Sequence, residues 1–97
     1  MKEKYILKKS DRKGKRYVII MDKMKHHFGS DVGSTFIDHK DIKKKRAWEA
    51  RHSGDRNYNN KHSGIYYSRY LLWTEPTLSK AIKKLESKDN VNIINRI

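Results

Sequence analysis

Between Ser63 and Thr77 the chain gathers Ile65, Tyr66, Tyr67, Tyr70, Leu71, Leu72 and Trp73 around a single cation, Arg69. Whatever fold forms must bury most of this block. Apolar residues make up only 35% of the 97 positions, and a large aromatic side chain hides about 150–250 Å² when buried. The block therefore has to organise the core of a small domain. Tyr66, Tyr70 and Trp73 fall at i, i+4 and i+7, with Ile65, Tyr67 and Leu72 flanking them, which predicts a short buried helix over Ile65–Trp73.

The remaining elements have to present partners to that helix. Tyr5 to Leu7 and Tyr17 to Met21 are β-branched and aromatic runs separated by the polar, glycine-containing stretch 10–15, a hairpin signature. Asp22 and Lys23 break the chain before a third run, Met24 to Phe28. Period-two counting puts Tyr17, Ile19 and Met21 on one face, and Met24, His26 and Phe28 on one face of the next strand. Asp41 is placed to cap a basic helix that ends near His52 at Ser53 and Gly54. Residues 55–62 read as a loop. Pro76 and Thr77 introduce a last helix with Leu78, Ala81, Ile82 and Leu85 on its apolar stripe. The tail, 89–97, alternates weakly and reads as a strand or a frayed end. The expectation is one α+β domain over 1–97: an antiparallel meander of two or three strands within 1–30, packed with two or three short helices over 38–54 and 63–88.

Lysine and arginine number 24 against 11 acids, a net charge of +13. A small domain needs only about 2 to 8 net charges to stay soluble, so a surplus of this size calls for a polyanionic partner. Double-stranded DNA is the first expectation and RNA the alternative. Ten of the cations fall within residues 1–30 against three acids. Lys8, Lys9, Arg12, Lys13, Lys15 and Arg16 surround the hairpin turn. Lys43, Lys44, Lys45 and Arg46 wrap one turn of the basic helix, with Arg51 near its end. These side chains, with Arg69, are the candidate phosphate contacts. Seventeen of the 24 cations are lysine, a point charge without the guanidinium fork that reads guanine, so binding with little sequence preference is expected. Trp48 and Trp73 are assigned to the core, with base stacking as the alternative.

Other chemistries find little support. There is no cysteine, hence no disulfide framework and no thiolate metal site. His26 and His27 are adjacent, so a strand points them to opposite faces. His39, His52 and His62 lack carboxylates at ligand spacing, and neither metal nor cofactor is expected. No apolar run approaches the roughly 20 residues of a membrane span, and no signal segment follows Met1, which reads as a soluble intracellular protein without membrane insertion. Gly64, Ile65 and Tyr66 match the first half of the GIY-YIG nuclease motif, but its second half is missing. A non-enzymatic role is expected, with a small nuclease as the third reading.

The segments His27–Ser30, Asp38–Asp41, Ala50–His52 and Ser63–Leu78, taken in order and spacing over about residues 16–85, resemble a family of small basic proteins of unknown function encoded by nucleocytoplasmic large DNA viruses. The chain carries tyrosines where that family's aromatic block has Phe and Trp, and Glu75 where it has Lys. The resemblance implies a giant-virus, mimivirus-like protein of the virion interior and the cytoplasmic viral factory. The role implied there is compaction or packaging of the genome by bridging, through self-association or two basic faces. The alternative is a virion-core structural or adaptor protein that binds acidic protein or membrane partners.

Overall fold

A computed structural model describes residues 3–97; Met1 and Lys2, which the expected basic meander of 1–30 includes, lie outside the described residues. Strands β1 (Glu3–Lys9), β2 (Lys15–Met21) and β3 (Met24–Ser30) form the antiparallel meander. Helices α1 (Phe36–His39), α2 (Ile42–His52), α3 (Gly64–Ser68) and α4 (Leu78–Asp89) follow, and α3 runs on into a π-helical turn, Arg69–Trp73. The last strand is β4 (Val91–Asn95), so among the described residues the sheet has four strands in the order β3-β2-β1-β4, with β4 parallel to β1. The α+β class is as expected, but the count of two or three strands is corrected to four. Val91 and Ile93 are buried, and a buried alternate pair is enough to hold a short tail in the sheet although its polar positions blur the periodicity.

One sheet face carries the core. Tyr5, Leu7, Tyr17, Ile19, Met21, Phe28, Val91 and Ile93 meet Tyr66, Tyr67, Leu71 and Leu72 from the aromatic block and Ala81, Ile82 and Leu85 from α4. Tyr67 is fully enclosed, and its hydroxyl donates to the carbonyl of Lys61 (2.8 Å), so its polar end is satisfied. Close approach of α3 to β3 requires glycine at its first position. A β-carbon on Gly64 would lie 2.8 Å from the His27 carbonyl oxygen.

The expected helix starts hold. Asp41 Oδ1 accepts from the Lys43 and Lys44 amides (2.9 and 3.4 Å), and Thr77 Oγ1 accepts from the Lys80 amide (3.2 Å). Asn90, with φ of 53°, ends α4 in the left-handed region. Two features differ from expectation. Among the described residues four helices form where two or three were expected, because Thr35 and Asp38 make a reciprocal capping box around the single turn α1. The aromatic helix also widens into the π turn, whose end is tied by the Thr74 hydroxyl donating to the Arg69 carbonyl (2.7 Å). The extra residue in that turn shifts the buried side. Tyr66, Tyr67, Leu71 and Leu72 go inside, while Tyr70 and Trp73 are only half-buried.

Candidate nucleic-acid interface

The hairpin turn is a presented feature. Gly14, with φ of 85°, supplies the left-handed residue. The Gly14 amide donates to the Asp31 carboxylate (3.2 Å), and the Asp31 amide to the Gly14 carbonyl (3.3 Å). This double tie anchors the turn to the segment after β3. Lys9, Arg12, Lys13 and Lys15 are exposed there and make no side-chain bond to protein among the described residues. Arg96 joins this end of the sheet, because its amide donates to the Leu7 carbonyl (2.7 Å). Sequence reading missed it: only the parallel pairing of the tail with β1 brings it there. The depression between Lys9, Lys15 and Arg16 is also lined by Asp31 and Asp38, so phosphate is better met on the turn's outer surface than inside it.

Three of the candidate cations are committed to the fold. Arg16 makes a two-pronged pair with Asp38 (2.7 and 2.8 Å), donates to the Thr35 hydroxyl (3.2 Å) and lies 4.9 Å above the Tyr17 ring. The Arg16 guanidinium holds the Asp38 carboxyl far below the usual carboxylate range, with the Thr35 amide and hydroxyl adding to the effect against burial. Arg69 lies 4.0 Å from the Tyr58 ring and 4.7 Å from the Tyr70 ring and donates to Asn59 Oδ1 (2.7 Å). It fastens the 55–62 loop to the helical layer. Lys45 donates to the Thr74 carbonyl (2.9 Å) over the Phe36 ring. The rest of the α2 set, Lys43, Lys44, Arg46 and Arg51, is exposed. This second basic surface sits on the helical layer, because α2 packs on α1 and the π turn and not on the sheet.

Lys8 belongs to a third place, the uncovered sheet face. Strand parity puts Lys4, Ile6 and Lys8 of β1, Val18 and Ile20 of β2, Lys25 and His27 of β3 and Asn92 and Ile94 of β4 on that side. Lys4 and Lys25 were not singled out from sequence, although the same period-two count that grouped Tyr17, Ile19 and Met21 inward assigns them outward. Val18 is nonetheless buried, because the bond between Ser10 Oγ and His27 Nδ1 (2.6 Å) crosses β2 beside it.

Among the lysines and arginines of the described residues, only Arg16, Lys84 and Lys88 pair with carboxylates. The charge surplus is therefore displayed rather than neutralised. Burial and neighbouring cations lower the His27 pKa, and burial together with His62 lowers that of His26, so neither adds charge near neutral pH. His26 faces inward, stacked on Tyr67, and His27 outward, as strand alternation requires. No three His, Asp or Glu side chains converge as a metal site among the described residues, and no helix there is long and apolar enough to cross a membrane.

The profile of a family described only as a family of unknown function (DUF5754) matches residues 5–52. That span runs from β1 to the end of α2 and includes the hairpin turn and the basic helix. No curated protein and no solved structure matches the chain.

Proposed function

We propose that the protein binds double-stranded DNA with little sequence preference and compacts it, as a nucleoid protein of a large DNA virus acting in the virion interior and the cytoplasmic viral factory. The observation that carries this reading is the unpaired charge: nearly all lysines and arginines are exposed without an acidic partner among the described residues. Such side chains release condensed counterions when they meet phosphate, which supplies affinity without sequence reading. Lys9, Arg12, Lys13, Lys15 and Arg96 at the hairpin end hold one duplex, with Lys8 beside them. Lys43, Lys44, Arg46 and Arg51 on α2 meet a second. Two basic surfaces on separate layers of a molecule 38 by 29 by 26 Å give a short bridge between duplexes. The viral family resemblance agrees with packaging as the role, and the reading assigns no catalytic group, metal or cofactor.

A salt titration of duplex binding tests it. Contact with about six to eight phosphates gives a slope of log K against log salt near −5 to −7, and a flat response sinks the proposal. A preference of more than about tenfold between scrambled and genomic sequences contradicts non-specific coating, since base readout would then be required. Compaction of long duplex at stoichiometric coverage, lost on charge reversal at Lys43, Lys44 and Arg46 while single-duplex binding survives, supports the two-surface bridge. Unchanged compaction in that variant removes it.

A further inference from the structure

The uncovered sheet face carries more than charge. Ile94 pairs directly with Ile6, and Ile6 directly with Ile20, so three isoleucines form one row across β4, β1 and β2. Ile94 is 37% exposed and the other two are half-buried. Lys4 and Lys8 flank Ile6 two residues away on either side along β1, and Lys25, opposite Ile20, closes the end of the row. No helix among the described residues covers it: α3 packs on β3, α4 on β4, and the core draws on the inner face alone.

Phosphate contact makes no use of an isoleucine row. Four strands spaced about 4.8 Å apart are also too broad for the roughly 12 Å major groove, which admits a two-stranded ribbon. A helix fits better. Ile94 and Ile20 are separated by two strand spacings, about 9.6 Å, while residues i and i+7 of a helix are about 10.5 Å apart along its axis. Apolar residues at i, i+3 or i+4 and i+7 then meet the three isoleucines in turn. The flanks of a helix about 10 Å wide lie over Lys4 and Lys8, some 6.6 Å to either side of Ile6, and must be acidic to match them.

We propose that this face docks an acidic amphipathic helix of a second protein. A second copy of the chain does not qualify, because α2 and α4 present lysines on their exposed sides, and like charge would oppose docking. The inference does not rest on DNA binding, which uses the hairpin end and α2 and shares only Lys8 with this face.

The probe is a fluorescein-labelled synthetic helix with leucine at i, i+4 and i+7 and glutamate on both flanks, read by anisotropy. It is expected to bind saturably. Replacing its leucines by serine, or its glutamates by lysine, is expected to weaken binding more than about tenfold, since the first removes the apolar burial and the second sets like charges together. The double variant Ile20→Thr with Ile94→Thr keeps β-branched residues in the strands. It is expected to lose the peptide by more than about tenfold, with duplex affinity and melting temperature close to the parent's. Lys4→Glu with Lys25→Glu provides a second route: it is expected to lose the glutamate peptide and gain the lysine-flanked one. Equal binding of the leucine-free peptide, failure of both peptides to saturate, or failure of the charge swap overturns the proposal. It is also overturned if the threonine variant weakens binding to duplex DNA or to phosphatidylserine vesicles as much as to the peptide, because the face then belongs to those ligands.

Discussion

The indole rings of Trp48 and Trp73 stack with their centroids 5.2 Å apart and their planes 10° from parallel. Their other neighbours are also aromatic: His39 lies 5.4 Å from Trp73, and His52 lies 4.5 Å from Trp48. The stack joins α2 to the end of the π turn, with Trp48 buried and Trp73 half-buried. Trp48→Ala is expected to cost about 3–5 kcal/mol, as for other buried aromatics. A double-mutant cycle with Trp73→Ala should return a coupling of about 0.5–1.5 kcal/mol in urea unfolding. If either variant melts like the parent and loses DNA instead, the stack is a binding element.

Asp38 ties α1 and its cap Thr35 to Arg16 of β2, and its depressed pKa makes that tie dependent on pH. A carboxylate lowered in the folded state contributes stability that is present above its unfolded value, about 3.9, and is lost as pH falls through and below it. Both partners are partly exposed, at 22% and 34%, so screening holds the contribution of the pair to about 1 kcal/mol, with a similar amount from the capping box. Asp38→Asn should lower the urea midpoint at pH 7, and the gap from the parent should close in acid. A gap that persists unchanged at pH 2 contradicts this assignment.

His26 predicts a second pH dependence at a higher window. Its ring is stacked on Tyr67, its Nε2 is buried without a partner, and burial followed by the charge of His62 lowers its pKa. A histidine held neutral in the fold costs stability as pH falls below the unfolded value of about 6.5, because the unfolded chain then binds the proton more readily. The parent should lose stability between about pH 7 and 5, and His26→Phe, which keeps a ring against Tyr67, should reduce that slope and leave the share of His27, whose pKa is lowered too. Equal slopes in thermal melts of the two proteins would place the titration elsewhere.

Gly64 shows where sequence and structure part. The Gly64–Tyr66 stretch is the fragment that matches a nuclease motif, yet the glycine has a packing reason, the His27 carbonyl 2.8 Å from where a β-carbon would sit. Tyr66 is engaged as well, donating to the Asp89 carboxylate (2.9 and 3.0 Å) and accepting from Lys88 (2.9 Å). Gly64→Ala should therefore lower stability by about 1–3 kcal/mol, as overpacking does, and a neutral effect in urea unfolding would mean that α3 shifts freely on β3.

The hairpin, the third strand and the caps at Asp41 and Thr77 were legible because each rests on local periodicity or a local capping bond. What escaped depends on distant partners. Arg69 is drawn to Tyr58 across the loop, Arg16 to Asp38 across 22 residues, and β4 to β1 across the length of the chain. Composition identified the cations, but only the fold separates those that are displayed from those that are spent. The π turn escaped because a helical period was read through a segment that contains an extra residue.

The free side of β4 carries a specific guard. The Ile93 amide donates to Glu86 Oε2 at 2.8 Å, so a side chain from α4 occupies a backbone donor that a new strand would need. Edge strands with open donors recruit further strands, and natural sheets block them with charge. Glu86→Ala should cost about 1 kcal/mol, the worth of one hydrogen bond with a half-buried donor left open. It should also make the protein associate with rising concentration through β4. Sedimentation velocity over a concentration series checks this: the parent should keep a constant coefficient while the variant's rises. Adding Asn95→Pro to the variant should restore the constant value, because proline removes a neighbouring edge donor. If the Glu86 variant stays at the parent's coefficient throughout, the carboxylate is only a cap for α4 and β4, and the edge is guarded by something else.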